Sequence, residues 1–169
     1  MNTLIKSTGD NTVGCSKIQY VSVKDILSFP ALDAAVGYGV NVLDMTFTTE
    51  SGLGEMLVLP MTKGSGKFSE VDKITDNGKL FTQQIVCTCT LDSGNKAFDN
   101  GPVINEMDLE KYIVVVTKYD GISYLCGSMD NPMNLNISKR AEGLGNGSNT
   151  YDFVFSIDAI KRAPVAVFY

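Results

Sequence analysis

Hydrophobic and polar residues alternate along several stretches of this chain, which is the pattern of a β-strand with one buried face. The longest such stretch is Leu80 to Leu91. In it Phe81, Ile85 and Cys87 fall on one side, and the three threonines, Thr82, Thr88 and Thr90, fall on the other. Because successive side chains of a strand point to opposite faces, this segment predicts a half-buried strand inside an antiparallel sheet.

Other segments with strand character stand on both sides of this one. They are Ile18 to Val23, Val40 to Thr49, Glu55 to Thr62, Tyr112 to Tyr119, Ile122 to Cys126, Asn134 to Lys139 and Tyr151 to Ile157. Asp120-Gly121 separates two of them and is a strong signal for a tight hairpin turn. Asp76-Asn77-Gly78 predicts another turn, which ends a polar, glycine-rich connection that starts at Lys63.

Helical periodicity is weak throughout, although Asn105 to Lys111 predicts one helical turn. Seven or eight strands with turn signals between them predict an all-β fold, an antiparallel β-sandwich or barrel with at most one or two short helices and long loops. A length of 169 residues is typical of one domain, here 1–169. Within it, residues 1–16 are predicted to form an N-terminal arm and residues 143–149 a flexible hairpin tip.

The chain ends in an apolar run, Pro164 to Tyr169. Each large apolar side chain gains about 1.5–3 kcal/mol on burial. Phe168 and Tyr169 are therefore expected to pack into this domain or into a neighbouring subunit.

The charge of the chain argues against a tight nucleic-acid clamp. The net charge is −5, and basic residues are scattered, whereas phosphate contacts require clustered Lys and Arg. The first residues lack the basic and apolar segments of an export signal, and no apolar run approaches the roughly 20 residues of a membrane helix. The sequence therefore predicts a protein made in the cytoplasm, without a membrane partner, and its acidic charge is compatible with a surface past which DNA slides without specific binding.

The four cysteines, Cys15, Cys87, Cys89 and Cys126, form no CxxC pair, and the chain contains no histidine. Cys87 and Cys89 lie two apart in a predicted strand, so their side chains share a face. They are interpreted as small core residues of a reduced protein without a zinc site.

Candidate chemistry is sparse elsewhere. Gly64-Ser65-Gly66-Lys67 resembles the end of a phosphate-binding loop, but Met61 and Phe68 replace the required Gly and Ser/Thr. Without histidine the commonest general base is missing. The sequence predicts no catalytic residue, no cofactor and no enzyme.

Two glycine-rich loops and the chain end are expected to contact neighbouring subunits. Ordering a loop residue costs roughly 1–2 kcal/mol of backbone entropy, and loops with few side chains cannot offset this themselves. The predicted inter-subunit contacts are Lys63, Gly64, Ser65, Gly66, Lys67, Gly143, Leu144, Gly145, Asn146, Gly147, Phe168 and Tyr169.

Three stretches resemble the tail and neck structural proteins of phages of gut Bacteroidales, including the crAss-like group. They are Asn77-Gly78 with the strand to Leu91, the run Tyr112 to Leu135 with Asp120-Gly121 inside it, and Tyr151 to Phe155 continuing to Arg162-Ala163-Pro164. The resemblance as a whole covers about 95 of the 169 residues, mostly in the second half of the chain.

This resemblance implies a β-sandwich or tail-tube-like barrel whose copies form a ring around the DNA channel of a virion. The expected partners are copies of the chain and adjacent tail, neck or portal proteins, and the expected location is the virion, assembled in the host cytoplasm. A β-sandwich that binds a small ligand or a glycan for host attachment is the first alternative. An enzyme on a β scaffold is the second.

Overall fold

A computed structural model describes residues 14–30, 39–48, 55–91, 106–140 and 149–168. In these ranges the strands are β1 Cys15–Ser22, β2 Ile26–Ser28, β3 Gly39–Asn41, β4 Thr46–Phe47, β5 Leu57–Val58, β6 Lys67–Thr75, β7 Gly78–Leu91, β8 Lys111–Lys118, β9 Ser123–Cys126, β10 Met133–Arg140, β11 Asn149–Ala159 and β12 Val165–Val167. Two 3-10 turns, Val23–Asp25 and Val42–Asp44, and one helical turn at 106–108 complete the described elements. The prediction of an all-β fold with little helix is confirmed.

Ten of these strands form one sheet in the order β3-β12-β9-β8-β10-β11-β7-β6, with β1 beside β8 and β5 beside β1. Strands β2 and β4 form a separate pair. Neighbouring strands are antiparallel except β12 and β3, which are parallel. The predicted strand Leu80 to Leu91 lies in β7 and pairs antiparallel with β11 and β6, as expected.

Strand β8 is buried on both faces and lies between two apolar clusters. Tyr112, Val114 and Val116 point into the main core, whereas Ile113 and Val115 point into the second core. The main core is completed by β1, β7, β9, β10 and β11. The second core is covered by residues of β2 and β3 together with Val42, Met45 and Met56.

The large sheet folds back on itself around the main core. The rings of Phe68 in β6 and Tyr124 in β9 stack with centroids 5.5 Å apart, although these strands are far apart in the strand order. Likewise Tyr20 of β1 and Phe155 of β11 face each other across the core, 6.5 Å between centroids. The two walls of a sandwich are thus parts of one continuous sheet.

The segment at 59–66 connects the two walls along their open side. Leu59 donates a backbone hydrogen bond to Ile18 in β1 (2.9 Å), and Thr62 donates one to Thr88 in β7 (2.7 Å). Unpaired backbone groups at both walls are satisfied by this segment, which makes the domain barrel-like on that side.

The hairpin turn predicted at Asp120-Gly121 is confirmed between β8 and β9. Gly121 has φ +84°, a conformation that other residues rarely adopt. The Asp120 carboxylate accepts a hydrogen bond from the Ile122 amide, which fixes the turn.

The continuous strand predicted over Val40 to Thr49 is wrong. The chain forms β3, then the 3-10 turn Val42–Asp44, then β4. The Asn41 side chain accepts a hydrogen bond from the Leu43 amide (3.2 Å) and favours this turn over an extended chain. Leu43 is therefore exposed and does not share a face with buried Met45.

The polar connection predicted after Lys63 contains a strand that the pattern did not reveal. Strand β6 pairs with β7 through the turn at Asp76-Asn77, the turn that was predicted. Most β6 side chains are exposed on both faces, so no alternation marks the strand. The predicted strand Glu55 to Thr62, by contrast, is shortened to β5, Leu57–Val58.

The predicted N-terminal arm lies outside the described residues up to residue 13, and its last two residues, Cys15 and Ser16, belong to β1. No helix in the described ranges is long and apolar enough to span a membrane.

Candidate functional site

The loop Lys63–Lys67 is partly fixed by its own chain. The Ser65 hydroxyl donates to the Thr62 carbonyl (2.7 Å) and accepts from the Thr88 amide (3.1 Å). Gly66 is buried, and its carbonyl accepts from the Cys15 amide (2.9 Å). Order at Ser65 and Gly66 thus needs no neighbouring subunit, and contact of the exposed Lys63, Gly64 and Lys67 with a neighbour stays a prediction.

The other predicted contact residues are described only in part. Gly143, Leu144, Gly145, Asn146, Gly147 and Tyr169 lie outside the described residues. Phe168 is 45% exposed and follows β12, which pairs with the start of β9 at Ser123. The structure therefore places Phe168 near the same end of the β8–β9 hairpin as Lys118.

A cleft of about 300 Å3 opens at this end of the molecule. Its wall consists of Val58, Pro60 and Met61, and Lys17 and Lys63 stand beside it together with Tyr119. Val58 is 56% exposed. An apolar floor between two exposed ammonium groups suits a ligand that is apolar in the middle and acidic at its edges.

Lys118 pairs with Cys15 of β1, two residues before Lys17, and directly precedes Tyr119 of the cleft. Its Nζ lies 4.8 Å from the centre of the Tyr124 ring and 5.8 Å from that of Phe68, positions favourable for cation–π attraction. Lys17, Lys63, Lys67 and Lys118, here called the basic patch, form no salt bridge within the described residues. The basic patch is a local exception on a chain whose net charge is −5.

The β6–β7 hairpin forms a second exposed feature. Strand β11 pairs with β7 only as far as Phe81, whereas β6 continues to pair with β7 down to Gly78, so the hairpin reaches past β11. Ile74 is 88% exposed and Val71 is 60% exposed on β6. No strand within the described residues pairs with the outer edge of β6.

A carboxylate network fastens this hairpin to the crossover between β11 and β12. Glu70 Oε2 accepts hydrogen bonds from the Ala163 amide (2.7 Å) and from Gln83 Nε2 (3.2 Å). Gln83 is buried, and the same nitrogen donates to the Lys161 carbonyl (3.3 Å). Glu70 and Gln83 therefore anchor the segment that precedes β12 to strands β6 and β7.

Arg162 adds charged contacts around this network. It reaches Glu70 Oε1 at 3.6 Å and Asp72 Oδ1 at 3.4 Å, and its guanidinium lies over the Phe81 ring at 5.1 Å. A hydrogen bond from Lys79, at 2.5 Å, lowers the pKa of the Asp72 carboxyl below its usual value. These charges compensate one another at the hairpin.

A cleft of about 320 Å3 lies beneath the crossover. Leu125, Ile157 and Pro164 form apolar parts of its lining, and Gln83 and Asn131 supply amide groups. This size lies at the lower end of the range for small-ligand sites, about 300–1,000 Å3.

The four thiols are buried in the main core and unpaired in the structure. Cys87 and Cys89 share the core-facing side of β7, as predicted. Burial raises the pKa of Cys15 to about 11 and raises that of Cys126 as well. Hydrogen bonding to Cys89, together with burial, also raises the pKa of Cys87. Thiols in this state are poor nucleophiles, because the thiolate is the reactive form.

Within the part of the chain that the structure describes, no group of three or more Cys, Asp or Glu residues is arranged to hold a metal ion. Comparison with known protein families, curated proteins and solved structures finds no match to this chain.

Sequence reasoning missed Glu70, Arg162 and the β6 edge. Glu70 and Ala163 are 93 positions apart, and no local pattern connects them. The available signal was the Asp76-Asn77-Gly78 turn, which implies a second strand before it as well as one after it.

Proposed function

We propose that this chain is a structural protein that assembles with copies of itself into a ring, in the tail or neck of a bacteriophage virion. The observation that carries the proposal is the outer edge of β6. It is nine residues long, unpaired within the described residues, and bears the exposed Val71 and Ile74. A long edge strand with apolar residues is a template for pairing with another chain.

The charges of β6 favour pairing with a different surface over pairing with itself. Only every second residue of an edge strand points its N–H and C=O groups outward. Two antiparallel copies of β6 can therefore pair only when odd-numbered residues lie opposite odd-numbered residues and even-numbered opposite even-numbered. Centred on Val71, such a pair sets Glu70 opposite Asp72 of the second copy. Centred on Asp72 or Lys73, it sets identical charges opposite each other. Like charges directly opposite destabilise a strand pair.

Association through unlike surfaces closes into a ring when the rotation between copies allows it. The proposed partners, which are neighbouring tail, neck or portal proteins and DNA that passes through the ring, rest on the sequence resemblance. The net charge of −5 supports the passage of DNA, since an acidic lining does not retain DNA.

The test is the mass of the purified protein in solution, by light scattering and native mass spectrometry. The expected result is a species larger than a dimer. Val71→Lys with Ile74→Lys should reduce it to the monomer, while Leu27→Lys, which changes an exposed leucine on β2, should not. A wild-type monomer at all concentrations would refute the proposal. Deleting 143–148 tests the predicted contact of that loop in the same assay.

A small-ligand or glycan-binding module is the second candidate, favoured by the cleft beneath the β11–β12 crossover. A thermal-shift screen of small sugars and apolar acids would test it, with Ile160→Trp, at an exposed position of the lining, to fill the cleft. Stabilisation of the wild type that this substitution abolishes would support ligand binding.

A further inference from the structure

The helical turn before β8 presents an apolar side chain to solvent. Leu109 is 86% exposed and stands between Asp108 and Glu110. The Leu109 and Glu110 amides donate to the carbonyls of Glu106 and Met107, so this turn has a defined backbone. A large apolar side chain that is almost fully exposed on an ordered turn marks a contact surface when charged residues flank it.

The surroundings of Leu109 are acidic. Glu110 pairs with Lys24, and Asp25 and Glu106 are close enough to act on the same ammonium group. We call Asp25, Glu106, Asp108 and Glu110 the acidic patch. Lys24 pairs with Glu110 and Lys111 follows Glu110 directly, so two lysines offset four carboxylates, of which that of Asp108 also accepts a hydrogen bond from the Ile137 amide (3.1 Å). This turn thus has an apolar centre with an acidic rim.

The cleft beside Lys17 and Lys63 has the complementary composition. Val58, Pro60 and Met61 form its apolar wall, and Lys17 and Lys63 also line it and form no salt bridge among the described residues. A volume of about 300 Å3 exceeds that of one leucine side chain. The cleft therefore has room for Leu109 and ammonium groups for the carboxylates around it.

The turn and the cleft lie at opposite ends of β8. Lys111 follows the turn directly, and Lys118 is opposite Cys15 at the other end, where Lys17 and Tyr119 line the cleft. A strand rises about 3.3 Å per residue, so these ends are about 23 Å apart. The turn of one molecule cannot fill its own cleft.

We propose that the 106–110 turn of one copy docks in the Lys17–Lys63 cleft of the next copy, with Leu109 in the cleft and the acidic patch against the basic patch. This contact deepens the ring proposal and rests on it, because it adds a second pair of unlike surfaces to the contact made by the β6 edge. Both surfaces belong to this chain and match in polarity as well as charge. A nucleic-acid phosphate would satisfy the lysines and leave the apolar wall unmatched.

The decisive experiment mixes two defective variants. Leu109→Asp removes the apolar centre of the turn, and Lys17→Glu with Lys63→Glu reverses the cleft; both changes are at exposed positions. Each variant alone should lose association about thirtyfold or more, as for a hot-spot residue. An equimolar mixture should recover association, because one intact turn and one intact cleft remain in every pair of unlike variants. Leu27→Asp and Lys161→Glu, exposed residues outside both surfaces, serve as matched controls and should associate like the wild type.

Wild-type association should also weaken when salt rises from about 0.1 M to about 1 M, which shortens the Debye length from about 10 to about 3 Å. If both variants assemble like the wild type, or if the mixture stays monomeric, this contact is refuted while the ring proposal stands. If the wild type itself is monomeric, the ring proposal fails. If the lysine variant assembles normally but no longer binds duplex DNA that the wild type binds, the cleft is an anion site and the inference is overturned.

Discussion

The carbonyl of Gly66 accepts a hydrogen bond of 2.9 Å from the Cys15 amide, and this contact joins the loop before β6 to the first strand of the sheet. A Cβ atom on Gly66 would come within 2.9 Å of Met61 Sδ and 3.1 Å of Cys15 Cβ. A larger residue at this position must therefore displace Met61 or Cys15, on the side where the segment at 59–66 connects the two walls.

Gly66→Ala is expected to destabilise the protein by about 1–3 kcal/mol, because the added methyl group forces Cys15 or Met61 to move. Urea denaturation at fixed protein concentration measures the change. Gly121→Asn is the control, since nothing lies within 4 Å of that position and Asn tolerates its positive φ. An equal loss in both variants would contradict the packing argument.

Glu70→Gln is expected to loosen the end of the chain. Glu70 accepts from the Ala163 amide and from Gln83, and a bond to a charged acceptor contributes about 1.5–3 kcal/mol. Hydrogen exchange should show faster exchange at β12 and at Leu125, whose amide donates to the Pro164 carbonyl. Asp72→Asn, which changes the exposed partner of the same arginine, should have a clearly smaller effect. Unchanged exchange in the Glu70 variant would show that the carboxylate does not hold β12.

Alkaline pH is expected to destabilise the fold through the buried thiols. Burial raises the pKa of Cys15 to about 11, above its ordinary value of 9.0. A group whose pKa is higher in the folded state contributes full stability below its unfolded pKa and loses it as the pH rises through the folded pKa. The urea concentration at which half of the protein is unfolded should therefore decrease as the pH rises from about 9 to about 11.

The pH dependence should be shallower in Cys15→Ala, because one of the shifted groups is gone. Tyr112 retains part of the effect, since burial raises its pKa as well. A thiol reagent at neutral pH should react slowly with the native protein and quickly in urea. Fast reaction of native protein would contradict the buried arrangement.

Strand β8 should be more sensitive to truncation than any exposed apolar position. Ile113 is fully buried in the second core. Ile113→Ala is expected to cost about 2–5 kcal/mol, as for large-to-small changes in cores. Ile160→Ala, at a position 78% exposed, should change stability by less than about 0.5 kcal/mol. Similar losses at both positions would mean that β8 is less tightly packed than described.

Local sequence determined the parts of this protein that depend on neighbouring residues. The alternation in β7 and the Asp120-Gly121 turn were predicted because side-chain period and turn conformation are properties of a few consecutive residues. The shared face of Cys87 and Cys89 follows from the same period. The strand segments with turn signals between them likewise indicated an all-β domain.

Tertiary structure decided what depends on residues far apart in the chain. Strand β6 has no alternating pattern, and it exists because β7 pairs with it. The extended run after Val40 breaks because the Asn41 side chain binds a backbone amide that a strand would use otherwise. The Glu70–Ala163 bond and the separation of Leu109 from the Lys17–Lys63 cleft arise only when the sheet folds back on itself. Sequence periodicity carries no information about such contacts, since they are set by the packing of one wall against the other.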